Sequence, residues 1–341
     1  MIPYSDNPVC AVECFQEDPD RAFLEKFNHH FRRIERELNS TFGSRVPLIE
    51  DIGRHSLLGE GKRIRPLLCI LSSLLCGYDG EDIYHISTLF EYLHSASLLH
   101  DDVIDNADMR RKKPSACHIW GNTAAVLAGD YLSTMAYSIA VGSNNVEIFK
   151  TATDTTARMV EGQLMELIHT HNWSISKNEY MDIIIAKTAE LMSASCACGA
   201  IIAGAPGKEK ECLQKFGMNL GIAFQLVDDL LDYSSSGEKF GKPVGKDLKE
   251  GKTTLPLIYA LVKMGRKEAN KLENLFKNHL AGEKDHLDLI RFVRSSGVIE
   301  EIRSEAVEYV ERASEFLELF PESTYKNDLL HLNEYIAKRR F

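Results

Sequence analysis

Apolar residues recur at intervals of three and four along most of the chain, the spacing that gives an α-helix one buried stripe. That period predicts helices over 21–40, 64–76, 81–106, 122–141, 145–170, 177–203, 209–233, 254–263, 266–280, 284–295, 298–319 and 325–340. Two-residue alternation, the mark of a half-buried strand, is scarce. Glycine and proline collect between the periodic runs, at Gly59 and Gly61, Gly77 and Gly80, Pro114, Gly204 with Pro206 and Gly207, then Gly237, Gly241, Pro243, Gly245 and Gly251. No compositional shift marks a linker and no short repeat occurs. The expectation is a single all-helical domain over 20–341, preceded by a loose N-terminal arm at 1–19. The segment SSSGEKFGKPVGKDLKEGKT, 234–253, is the one long non-periodic loop, and such loops inside compact domains usually carry function.

With 341 residues, 44% of them hydrophobic, the chain can bury a large core. Its first ten residues lack the basic and apolar regions of a secretory signal, and nowhere do 18 apolar residues run uninterrupted. A cytoplasmic protein without a transmembrane segment is expected. Eight cysteines, at 10, 14, 69, 76, 117, 196, 198 and 212, contain no CxxC pair and read as packing thiols. The net charge of −10 opposes general attraction to nucleic acid or anionic membranes, so basic clusters need a local explanation.

One pattern occurs twice: Asp101-Asp102-Val-Ile-Asp105 and Asp228-Asp229-Leu-Leu-Asp232. Positions four apart share a helix face, so Asp101 stands with Asp105 and Asp228 with Asp232, like charges that repel unless something compensates. Each set ends an apolar run, SASLLH or GIAFQLV, which brings a buried helix out into a cavity. Hard divalent cations suit such clusters; Mg2+ takes one or two carboxylates, water and phosphate oxygens. A solvated acidic helix end explains one copy as well, but not two copies inside apolar helices.

Bases accompany the acids. Arg110, Arg111, Lys112 and Lys113 follow the first set, and GKRIRP, 61–66, supplies Lys62, Arg63 and Arg65 at a helix start. Lys187 stands alone in an apolar helix, and Lys239, Lys242, Lys246 and Lys252 lie in the glycine-rich loop. Metal-binding carboxylates with dispersed Arg and Lys describe a diphosphate site. No P-loop or dinucleotide-binding fingerprint is present.

The ordered stretches GKRIRP, LLHDDVIDNADMRR, GN with VLAGDYL (121–132), EGQLMEL (161–167), KTAEL (187–191), FQLVDDLLDY (224–233) and GKPVGKDLKEGKTTLP (241–256) resemble the motif series of the trans-isoprenyl diphosphate synthases. The resemblance implies an all-α antiparallel helix bundle around a central cavity, usually homodimeric, that condenses isopentenyl diphosphate with an allylic diphosphate. It implies Mg2+ held by Asp101, Asp102, Asp105, Asp228, Asp229 and Asp232. Lys62, Arg65, His94 and Arg111 match the isopentenyl diphosphate pocket, while Arg110, Lys187, Thr188, Gln225, Lys242 and Lys252 match the allylic side. Helical spacing independently puts His94, Ser97, Asp101 and Asp105 on one face, and Gln225, Asp228 and Asp232 on another.

By the same resemblance the product is a long-chain all-trans polyprenyl diphosphate made from farnesyl or geranylgeranyl diphosphate. Ala96 and Ser97, about one turn before the first aspartates, leave room where short-chain relatives place bulky aromatics. A farnesyl or geranylgeranyl diphosphate synthase is the alternative. More distant readings are a terpene cyclase, a non-catalytic synthase subunit, and a di-iron bundle built on Glu91-x-x-His94 and Glu166-x-x-His169. The last leaves both aspartate motifs and the lysines unexplained.

Overall fold

A computed structural model describes residues 24–59, 61–110, 113–234, 245–278 and 280–338. The N-terminal arm, Arg111, Lys112, Lys239 and Lys242 lie outside the described residues. Numbered in chain order, the helices are α1 (Asn28–Thr41), α2 (Pro47–Ser56), α3 (Ile64–Leu75), α4 (Ile83–Ile104), α5 (Ala116–Trp120), α6 (Asn122–Gly142) and α7 (Val146–Ile168). There follow α8 (Lys177–Ile184), α9 (Glu190–Ile202), α10 (Gly207–Ser234), α11 (Lys246–Lys249), α12 (Leu255–Met264), α13 (Arg266–Lys277), α14 (Glu283–Ser295), α15 (Val298–Leu317) and α16 (Thr324–Lys338). The twelve periodic runs all appear as helices, so the protein is all-α as expected. The period misses α5 and α11, which are too short for a clear stripe, and α2, which buries only Ile52 and Gly53. It also misses a two-residue hairpin, β1 (Met109–Arg110) with β2 (Lys113–Pro114), in the register Arg110↔Lys113.

The helix α9 lies at the centre, packed against α3, α10 and α7. Every residue from Leu191 to Ile201 is buried, as befits a helix apolar on all sides. Two glycines permit this close packing. A Cβ on Gly199 would sit 2.3 Å from the Cys69 carbonyl oxygen of α3, and one on Gly217 would sit 2.6 Å from the Met192 carbonyl oxygen of α9. Cys69, Cys196 and Cys198 fill this junction as buried free thiols. On one side α4 packs on α6, and on the other α10 packs on α15.

Between α8 and α9 the chain makes a π turn, Ile185–Ala189, where an unbroken helix is expected. Two helical stretches among the described residues, Asn122–Gly142 and Lys177–Ile202, are long and apolar enough to cross a membrane. The second is 78% buried inside the protein, the first only 39%.

Candidate active site

The helix α4 delivers the first aspartates at its C-terminal end: Asp101 and Asp102 in the last turn, Asp105 as the C-cap. Asp102 is 3% exposed and accepts a hydrogen bond at Oδ1 from Arg110 Nε at 2.7 Å, with Nη2 of the same guanidinium in an ion pair 2.5 Å from that oxygen. The hairpin carries Arg110 back onto the helix end. Burial works against that guanidinium's charge, but Asp102, with Asp101 and Asp105 behind it, holds its pKa above the usual value. Asp105 accepts from Lys252 Nζ at 2.7 Å, and the same ammonium donates to Glu250 at 2.9 Å. Burial disfavours the Lys252 charge as well; Glu166, Asp105 and Glu250 outweigh it and raise its pKa. Asp101 lies 3.9 Å from Lys187 Nζ, and burial raises its pKa against that attraction.

The second set lies at the C-terminal end of α10. Asp228 is exposed to a cavity, while Asp229 is buried and accepts from Tyr180 Oη at 2.5 Å and Gln225 Nε2 at 2.7 Å. Burial pushes the Asp229 carboxyl up to about 7 despite those two hydrogen bonds, with Asp228 adding to the rise. Gln225 Oε1 accepts from Thr188 Oγ1 at 2.8 Å, completing a Thr188-Gln225-Asp229 relay. Asp232 accepts from the backbone N–H groups of Lys246 at 3.0 Å and Asp247 at 3.1 Å, and so caps α11. Burial raises the Asp247 carboxyl strongly, reinforced by Asp232 and Asp229.

A cavity of about 760 Å³, open to solvent, is lined by Glu166, Lys187, Thr188, Gln225, Asp228, Asp229, Asp247 and Lys252. The isoleucines 175, 183 and 184 supply apolar wall. The π turn presents Lys187, which donates to Glu166 at 2.5 Å, and Thr188. Both aspartate sets sit where helix dipoles are already negative, so the fold accumulates negative potential that cations must offset. Among the described residues no three His, Cys, Asp or Glu side chains converge on one point. The donors are hard oxygens without a closed cage, which suits an ion that completes its shell with water and substrate oxygens, as Mg2+ does.

The remaining expected residues fall elsewhere. Arg110 and Asp102 line a second cavity of about 530 Å³ with His55, Gly59 and Lys113, apart from the rest of the allylic set. Lys62, Arg65 and His94 line neither cavity; Lys62 Nζ donates to the Tyr335 hydroxyl at 2.7 Å. Ala96 is 2% exposed inside the hydrophobic core, and the half-buried Ser97 donates to the His94 carbonyl at 2.8 Å. Arg111 and Lys242 lie outside the described residues. The di-iron alternative loses its ligands, since Glu91 is bound by Arg63 at 2.6 Å and Glu166 by Lys187. Sequence reasoning gave no role at this cavity to His169, Tyr180, Asp247, Thr253 or Thr254. Asp247 had a signal, an acid among the lysines of the glycine-rich loop; Tyr180, a lone aromatic on an apolar stripe, had none.

Residues 46–293 match the family Polyprenyl synthetase. The octaprenyl diphosphate synthase of Escherichia coli (strain K12) is 36% identical over 322 residues, covering 93% of this chain and 99% of that protein. The all-trans-nonaprenyl-diphosphate synthase (geranyl-diphosphate specific) of Rhodobacter capsulatus is 34% identical over 91% of this chain and 94% of its own. A crystal structure of a polyprenyl synthase from Caulobacter crescentus CB15, complexed with calcium and isoprenyl diphosphate, superimposes with a TM-score of 0.89. That protein is 32% identical over 94% of this chain and 98% of its own. With a site of paired aspartates and lysines on an all-α frame, and relatives matched along nearly their whole length, the chain belongs to the polyprenyl synthetase family.

Proposed function

We propose that this chain is a prenyltransferase that condenses isopentenyl diphosphate with farnesyl or geranylgeranyl diphosphate, releasing diphosphate and building a long-chain all-trans polyprenyl diphosphate. The observation that carries this reading is a cavity lined by Asp228 and Asp229 of the second aspartate set together with Lys187 and Lys252, the two lysines that reach Asp101 at 3.9 Å and Asp105 at 2.7 Å in the first. Relatives that make octaprenyl and nonaprenyl products support the long chain over a farnesyl or geranylgeranyl product.

Asp101, Asp105 and Asp228 would hold Mg2+ against the allylic diphosphate, with Asp102, Asp229 and Asp232 fixing the helix ends. Bound there, Mg2+ supplies positive charge to the departing diphosphate. Lys187, Lys252 and Lys242, the last outside the described residues, would add point charges on the same leaving group. Thr188 and Gln225, hydrogen-bonded to each other and, through Gln225, to Asp229, would line the allylic side, where a cation develops as the carbon–oxygen bond breaks. The isopentenyl double bond attacks that carbon, and the released diphosphate takes the proton lost from the adduct. The isoleucine wall would shield the cation from water on its side of the cavity. Lys62, Arg65, His94 and Arg111 would bind the second diphosphate.

A homodimer fits the surface. Leu127 and Val141 of α6 are each 59% exposed, and Val160, Leu164 and Ile168 of α7 make a continuous apolar stripe on the neighbouring helix. A second copy would bury it; light scattering should give twice the mass of 38.4 kDa. The activity is tested by incubating purified protein with either primer, isopentenyl diphosphate and Mg2+ and sizing the products. Ser97→Phe should shorten them while condensation continues. It is a cleaner test than Ala96→Tyr, because Ala96 is enclosed in the core.

A further inference from the structure

The sequence GKRIRP offers three bases that look interchangeable, yet the middle one behaves unlike its neighbours. Lys62 is exposed and Arg65 half-buried, whereas Arg63 is 4% exposed. As N-cap of α3, Arg63 holds φ +46° and ψ +35°, left-handed backbone that a residue with a Cβ disfavours. The other left-handed non-glycine residues among those described are Asn106, Asn144 and His171, types that tolerate this region. Something must hold Arg63 there.

Its guanidinium makes three short contacts with three separate segments. Nε donates to Glu35 of α1 at 2.6 Å, Nη1 to Glu91 of α4 at 2.6 Å, and Nη2 to the Gly59 carbonyl at 2.9 Å. The last bond closes the turn on itself, four residues apart. The Glu91 bond fastens that turn to α4 one turn before His94, on the helix that ends in Asp101 and Asp102. Glu91 is itself only 4% exposed, so the pair is desolvated, and only a planar fork with several donors satisfies all three acceptors at once.

We infer that Arg63 is a positioning residue: it binds no substrate, and it locks Lys62 and Arg65 in register with His94 so that the isopentenyl diphosphate pocket is formed before substrate arrives. The inference rests on the proposed condensation reaction and names the residue that builds one of its two pockets. Glu91, which sequence reasoning could assign only to a metal pair, is the anchor on the helix side.

Arg63→Lys keeps the charge and removes the fork; Glu91→Gln keeps an acceptor and removes the charge. In the full-length protein each should raise KM for isopentenyl diphosphate by roughly tenfold, the scale of one charge-assisted contact, with KM for the allylic primer changed less than about twofold. Thermal stability should fall in both, which a merely structural role would also produce; the split between the two Michaelis constants is what it would not. The double variant should be no worse than the poorer single one, because both break the same bond. Should Arg63→Lys fail to fold, Glu91→Gln gives the same reading. Equal changes in both constants, or no change for isopentenyl diphosphate in a folded variant, overturn the inference while the wild-type reaction stands. A wild-type protein that makes no product removes the reaction, and the inference with it.

Discussion

Asp102 and Asp229 hold the same place in the two aspartate motifs and are about equally buried, at 3% and 4% exposed. Asp102 is clasped by the Arg110 guanidinium, whereas Asp229 accepts from the neutral Tyr180 hydroxyl and Gln225 amide. The third positions differ likewise: Asp105 meets the Lys252 ammonium, and Asp232 meets backbone N–H groups of α11. Asp102 and Asp105 of the first motif are paired with side-chain cations, while Asp229 and Asp232 of the second accept from dipoles. A repeated pattern thus fixes which face the carboxylates share, and the neighbours decide what each carboxylate does.

The largest effect should come from the positions where the motifs are alike. Asp101→Ala and Asp228→Ala should each lower turnover by at least about 10²-fold with the circular dichroism spectrum unchanged, since each removes a share of leaving-group stabilisation. Near-normal turnover of Asp228→Ala alone at saturating Mg2+ would mean the second motif is structural. At the next position the motifs should part company. Asp102→Asn breaks a buried charge pair and should cost about 2 to 3 kcal/mol of stability in denaturant unfolding. Asp229→Asn spares the protein a buried carboxylate and should cost under about 1 kcal/mol at neutral pH. Equal losses would erase the distinction between cationic and dipolar support. Lys187→Ala should weaken the allylic primer by about 1.5 to 3 kcal/mol, measured as its KM, and leave isopentenyl diphosphate nearly untouched. Tyr180→Phe should likewise have a small effect, about 1 kcal/mol of stability for one hydrogen bond. A larger loss would show that Asp229 remains charged and depends on that hydroxyl.

Much of this architecture was legible in the chain. Among the described residues, thirteen of the sixteen helices fall on the twelve runs marked by the 3.6-residue period, most of them burying one stripe. The aspartate sets followed from their duplication inside apolar runs. Other features were hidden for definable reasons. Arg63 shares its spelling with two exposed neighbours, and only tertiary contacts with Glu35 and Glu91 separate it from them. The split of the bases between two cavities depends on the hairpin, two residues a side, that returns Arg110 to Asp102. Tyr180 reaches Asp229 across 49 positions, a partnership no local pattern encodes. The helix α2 buries only Ile52 and Gly53, too little to mark a stripe.

The π turn at Ile185–Ala189 interrupts what reads as one helix from 177 to 203. One additional residue in a turn offsets the phase of everything after it by about 100°. The stripe of α8, with Tyr180, Ile183 and Ile184, and the fully buried α9 are therefore written in two frames, spliced by the five residues that carry Lys187 and Thr188. Removing one of those five would merge the frames into a regular α-helix. Either α8 would then turn its apolar side away from its bed, or α9 would rotate Gly199 out of its fit against Cys69. Length, rather than identity, is what this splice protects: single substitutions at Ile185 or Ala186 leave the phase intact, while any insertion or deletion between 185 and 189 sets the two halves of the helix at odds.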